Sequence, residues 1–185
     1  IQTTALIRAI MGDIEYTGEV KWGVTTSQAY LPKDNSRDFA GGETILDWLR
    51  QFASKEEDDN TFLRGFLGRM LFSGEEVNKS VNVLSGGEKV RVMLSKLMLL
   101  KSNVLVLDDP TNHLDLESIS SLNEGLTNYK GSLLFASHDH EFIQTIANHI
   151  IVISKNGVID RIGETYDEFL ENDEVQAKVK ALWAD

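Results

Sequence analysis

Val104-Leu105-Val106-Leu107-Asp108-Asp109-Pro110 decides how this chain is read. Four consecutive apolar residues suit a strand buried on both faces, as in parallel sheets covered by helices. Two carboxylates follow at its C-terminal end, and Pro110 cannot continue the ladder. In an open α/β sheet that end faces the ligand crevice. The first acid, Asp108, can hold Mg2+, usually through water. The second, Asp109, can orient or deprotonate an attacking water. The same residues also fit an ordinary acidic turn after a strand.

Two neighbouring stretches sharpen this reading. Upstream stands Leu84-Ser85-Gly86-Gly87-Glu88. Ser85 with Glu88 predicts a capping box that opens an amphipathic helix. Gly86 and Gly87 allow a ligand close to the backbone, and free N–H groups at a helix start suit a phosphate. A plain capping box with a Gly-rich lead-in would read the same way. Downstream, the run Leu133-Leu134-Phe135-Ala136 precedes Ser137-His138-Asp139. His138 at a strand end can contact a γ-phosphate or the attacking water, or it can be structural.

The rest of the chain supplies the frame. Residues 4–11 carry Leu6, Ile7, Ile10 and Met11 at helical spacing, with Gly12 as the stop. A short strand is predicted around Val20 and Trp22, and an extended stretch over residues 24–31, ended by Pro32. Residues 34–83 read as a small helical lobe. Ile45, Trp48, Leu49 and Phe52 mark one helix; Phe62, Phe66 and Met70 mark another; the acids of residues 56–59 lie between them. Residues 84–163 then alternate apolar runs with helical patterns, which predicts a parallel sheet with helices on both faces. Asn156-Gly157 between two apolar runs predicts a hairpin. Residues 164–185 form an acidic helical tail, with seven acids against two lysines.

Composition excludes several classes. The 185 residues carry a formal charge of −11, which argues against adhesion to nucleic-acid phosphates. Specific DNA binding is not expected. No apolar run exceeds four residues, so neither a membrane span nor a signal h-region is expected. Without cysteine there are no disulfides, thiolate metal sites or thiol nucleophiles. Gly65-Phe66-Leu67-Gly68 lies inside a helical pattern, not in an RNA-clamping loop. Lys89, Arg91 and Lys96 are expected to face solvent. His140 and His149 have no partners at zinc spacing.

Together the motifs resemble the ATP-binding cassette (ABC) ATPases. Residues 84–88 resemble the family's signature motif, and residues 104–110 its Walker B strand. Asn112-His113-Leu114-Asp115 resembles its D-loop, and His138 its switch histidine. Thr111 to Asp115 together with Ser137-His138-Asp139 look most like the ABC-F subfamily. Residues 22–185 resemble the C-terminal nucleotide-binding domain of bacterial ABC-F proteins. The implied fold is the α/β P-loop NTPase type, with a small helical lobe. The resemblance implies cytoplasmic proteins without membrane insertion, in which two such domains clamp ATP and Mg2+ head to tail. The partners implied are a second ABC domain and the ribosome, in translation or antibiotic resistance.

The resemblance also assigns roles. Asp108 would organise Mg2+, Asp109 the attacking water, and His138 the γ-phosphate. Ser85, Gly86, Gly87 and Glu88 would meet ATP held by the partner domain, and Asp115 would link the two sites. Three departures stand out. No G-x-x-x-x-G-K-[ST] string occurs; alignment puts Thr4 at the Ser/Thr position, Thr3 at the Lys and Gln2 at the Gly. A single domain is therefore expected, either cut within its phosphate loop or lacking a few residues around Gln2 and Thr3, and inactive or very weak alone. Lys33 falls at the family's Gln-loop position, where it cannot ligate metal or accept from water. It could contact phosphate as a point charge or be solvated. Asp109 stands where the family usually has Glu, so slow turnover is expected, relieved by Asp109→Glu. Alternatives are a transporter's ATPase subunit and a degenerate regulatory domain that no longer hydrolyses ATP.

Overall fold

The computed structural model describes residues 3–184. In chain order the elements are α1 (Thr3–Ile10), β1 (Gln28–Leu31), α2 (Ile45–Arg50), α3 (Asn60–Arg69), α4 (Gly86–Leu99), β2 (Val104–Asp108), α5 (Leu116–Thr127), β3 (Ser132–Ala136), α6 (His140–Ile146), β4 (His149–Ser154), β5 (Gly157–Ile162), α7 (Tyr166–Glu171) and α8 (Asp173–Trp183), with short 3-10 turns in the lobe. Residues 18–136 form one compact unit; the described residues before and after them form another.

In the larger unit β1, β2 and β3 are parallel, in the order β1-β2-β3. The central strand is the one that the apolar run predicted, and Leu105, Val106 and Leu107 are buried. Each helix of this unit starts on a short polar side chain that accepts an N–H of the first turn: Thr44 from Asp47, Asp59 from Phe62, Ser85 from Glu88 and Asp115 from Ser118. On α5 the buried residues Ser118, Leu122 and Leu126 recur every four positions, one stripe of the helix. On α3 the buried residues are Leu63, Phe66 and Leu67, with Met70 buried just past its end, while Phe62, expected on the same stripe, is exposed.

The helical lobe has its own aromatic centre. The Trp48 ring stacks on Phe39 at 4.9 Å, and its indole N–H donates to the Asp38 carbonyl at 2.7 Å. Two side chains of α4 expected in solvent lie on this lobe instead. The Lys96 ammonium sits 4.2 Å from the Phe52 ring centre, and the Arg91 guanidinium 4.5 Å from that of Phe72. Their long stems cover apolar surface and their charges meet ring faces. The Ser95 hydroxyl, fully buried, donates to the Arg91 carbonyl at 3.0 Å.

Three expectations need correction. Residues 18–23 form no strand, and the extended stretch becomes β only at Gln28. Just ahead of β1 the Asn103 side-chain oxygen accepts the Ser27 N–H at 2.8 Å, and its amide donates to the Thr25 carbonyl at 2.9 Å. These side-chain bonds replace ladder bonds just before β1. The capping box of α4 is only half made. Ser85 accepts the Glu88 N–H at 3.2 Å, but the Glu88 carboxylate turns to the Lys79 ammonium at 3.3 Å. The third correction concerns Arg91 and Lys96, described above.

In the smaller unit, α1 ends where Gly12 adopts φ +79°, and the Asp13 N–H donates to the Arg8 carbonyl at 2.8 Å. β4 and β5 form the expected antiparallel hairpin. Ser154 pairs with Gly157, so Lys155 and Asn156 make the turn and Gly157 opens β5 at φ +149°. The acidic tail is two helices. Thr165 and Glu168 form a capping box on α7, and Asn172 caps α8.

Candidate functional site

The C-terminal ends of β1 and β2 bring together Lys33, Asp108 and Asp109. Asp108 is the last residue of β2, in register with Ala136, and only 2% exposed. Asp109 turns out of the strand at φ +54°, a left-handed conformation that Asp tolerates better than most side chains. Its N–H donates to the Ala136 carbonyl at 2.8 Å, which ties the turn to β3. The Lys33 ammonium lies 3.4 Å from the Asp109 carboxylate. Lys33, read from sequence as a phosphate contact or a solvated side chain, thus has a carboxylate partner within its own unit.

A second cluster joins the start of α4 to residues 113–115. His113 adopts φ +66° and presses against the two glycines. A Cβ on Gly87 would stand 2.6 Å from the His113 carbonyl oxygen, and one on Gly86 3.4 Å from the imidazole. The close approach expected for a ligand is made, at Gly87, by this chain's own backbone. Asp115 caps α5; the Ser118 hydroxyl and amide hold its carboxyl below the usual carboxylate range. Beside it, Arg91 donates to the Met70 carbonyl at 3.3 Å, a contact that sequence spacing did not reveal.

Thr4 and His138 belong to the other unit. Thr4 lies in the first turn of α1. His138 is exposed in the loop before α6, which is braced by the Asp139 N–H donating to the Ser137 hydroxyl at 3.1 Å and by Asp139 capping the helix. Gln2, the position aligned on a phosphate-loop glycine, lies outside the described residues.

Among the described residues no three His, Asp or Glu side chains cluster as a metal cage. A phosphate-bound Mg2+ does not require one. It takes one or two carboxylates, waters and phosphate oxygens. The acid pair of Asp108 and Asp109 at one strand end fits that donor set. No helix among the described residues is long and apolar enough to cross a membrane.

Comparison with known proteins gives the family of the fold. The family described as ABC transporter matches residues 3–112. The chain is 59% identical to the ABC transporter ATP-binding protein YkpA of Bacillus subtilis, over 100% of this chain and 34% of that protein. It is 41% identical to ABC transporter F family member 2 of Arabidopsis thaliana, over 97% of this chain and 26% of that protein. The chain therefore spans about a third or less of the length of these relatives. Among solved structures, an archaeal ribosome recycling factor, aABCE1, crystallised with a ribosomal stalk protein, shares the fold at a TM-score of 0.70 and 22% identity, over 98% of this chain and 34% of that one. These matches lead to one conclusion: the chain belongs to the ABC transporter family, as an ATP-binding domain similar to those of the ABC-F members.

Proposed function

We propose that this domain binds and hydrolyses ATP as one half of a head-to-tail pair of ABC domains, in an ABC-F protein that acts at the ribosome. The observation that carries the reading is the acid pair at the end of β2, one member buried and the other turned out of the strand. Asp108 would hold Mg2+ through water; the ion, when bound, neutralises charge on the β- and γ-phosphate oxygens. Asp109 would accept a hydrogen bond from the water that attacks the γ-phosphorus as the bridging P–O bond breaks. His138 would hold the γ-phosphate. At the start of α4, Ser85 uses its oxygen to accept from Glu88, which leaves its O–H able to donate to a phosphate held by the partner domain. Asp115 would pass the state of one site to the other, and Thr4 would sit beside the phosphates.

The likeness to ABC-F proteins and to a ribosome recycling factor supports a ribosomal role in the cytoplasm. The 185 residues alone, which contain no G-x-x-x-x-G-K-[ST], turn ATP over weakly or not at all. The test is ATP turnover and ATP binding by the full-length protein and its Asp109→Asn variant. Turnover should fall about a hundredfold with binding retained. Wild-type turnover in Asp109→Asn, or no ATP binding by the parent, overturns the reading. Co-sedimentation with ribosomes against membrane vesicles separates the ribosomal role from that of a transporter subunit.

A further inference from the structure

We infer that Lys33 is a positioning residue for Asp109, and that the two unusual residues form one coupled unit. This rests on the reading of Asp109 as the group that orients the attacking water. The sheet register supplies the reason. β1 and β2 run parallel with Leu31 opposite Leu107. Two residues beyond that pair, just past the two strand ends, stand Lys33 and Asp109, so the register brings these two positions near one another. Their charged ends meet at 3.4 Å.

The backbone of Asp109 is already held by its left-handed turn and by its N–H bond to Ala136. What remains free is the direction of the carboxylate, and the cation of the neighbouring strand end sets it. The Asp109 side chain is 16% exposed and that of Lys33 47%, so the ammonium keeps water on its outer donors while drawing the covered carboxylate toward β1. An ammonium has no lone pair. It can neither receive a proton from water nor bind a metal, so at this position it acts as a donor and a positive charge, for which an anion is the strongest partner. The anion beside it is Asp109. Set against the Glu and Gln that the family resemblance leads one to expect at these positions, this chain has a carboxylate shorter by one methylene with a cation at its side. Charge and reach change together.

The test is steady-state ATP turnover of the full-length protein with Lys33→Met, Lys33→Arg, Asp109→Asn and the Lys33→Met/Asp109→Asn double variant. A carboxylate misplaced by about 1 Å costs up to about a hundredfold in rate. Lys33→Met should therefore lower kcat about tenfold to a hundredfold, with KM for ATP within about twofold of the parent. Lys33→Arg should recover most of the loss, and Lys33→Met should cost nothing further on Asp109→Asn. Lys33→Gln, measured alongside, keeps a polar head should Met at this place disturb the fold. An unchanged kcat in both neutral variants overturns the inference. So does a raised KM with kcat intact, which would put the ammonium on phosphate, and so does the full loss appearing again on Asp109→Asn. If Asp109→Asn itself turns over like the parent, the functional reading fails and takes the inference with it. If only Lys33 proves silent, the functional reading stands.

Discussion

Gly87→Ala and Gly65→Ala are the same chemical change at two helical glycines, and the structure gives them opposite signs. On α3 a Cβ at Gly65 meets nothing within 4 Å. There the substitution removes only the conformational freedom of glycine, and it should stabilise by about 0.5–1 kcal/mol. On α4 the Cβ at Gly87 would stand 2.6 Å from the His113 carbonyl oxygen, where real Cβ atoms stay beyond about 3.0 Å. At least 0.4 Å (3.0 − 2.6) must come from backbone movement. The opposing atom is a carbonyl in a turn already at φ +66°, not the end of a flexible side chain. Overpacking of this kind costs about 1–3 kcal/mol, against a helix-propensity gain below about 1 kcal/mol. The net loss is about 1–2 kcal/mol. For a chain of this size that lowers Tm by roughly 2–8 °C, whereas Gly65→Ala raises it by roughly 1–4 °C. Urea and thermal unfolding followed by circular dichroism on the two variants decide the matter. Equal stability of the two variants would refute the packing of His113 on the start of α4.

Further outcomes follow from the same coordinates. Ser85→Ala removes the side-chain acceptor of α4 and should cost about 1 kcal/mol in urea unfolding, whereas Ser85→Asp should cost less than half of that. The carboxyl of Asp115 is held low by Ser118, that of Glu76 by Ser73 and that of Glu168 by Thr165. Each is depressed in the folded state, so its stabilisation is present above the unfolded-state value and is lost as pH falls through the folded one. Stability should therefore drop on acidification below about pH 4–5, and Asp115→Asn, which keeps a capping oxygen, should make the urea midpoint less steep in pH there. A slope unchanged by Asp115→Asn, Glu76→Gln and Glu168→Gln combined would show that other groups control acid unfolding. Asp109→Glu, expected from carboxylate length alone to speed ATP turnover of the full-length protein, should do so only when Lys33→Gln accompanies it. An equal gain without the second change would show that the two positions act independently.

Much of this was legible in local sequence. The apolar run of residues 104–107 marks β2 because a strand covered on both faces needs no alternation. Ser85 announces its helix because an N-cap acts through neighbours three residues away. The same holds for Gly12, and for the acid pair that follows the strand. The helix start at Gly86 and Gly87 was equally plain.

Other features depended on groups far apart in the chain. Asn103 binds the backbone at Ser27 from 76 residues away, just ahead of β1, which starts only at Gln28 of the expected extended stretch. Glu88 leaves the capping box because Lys79 competes for it, and Arg91 and Lys96 are half-buried because aromatic rings of the lobe lie beneath them. Periodicity reports which face of an element is apolar; it says nothing of which charge lies across from it. Lys33 is the clearest case. The sequence by itself determined the family, the parallel strand and the two acids at its end, because those are encoded within a few residues of each other. Only the tertiary structure decided which group Lys33 meets, because parallel pairing of strands 76 residues apart sets Leu31 beside Leu107 and so brings an ammonium near the carboxylate of Asp109.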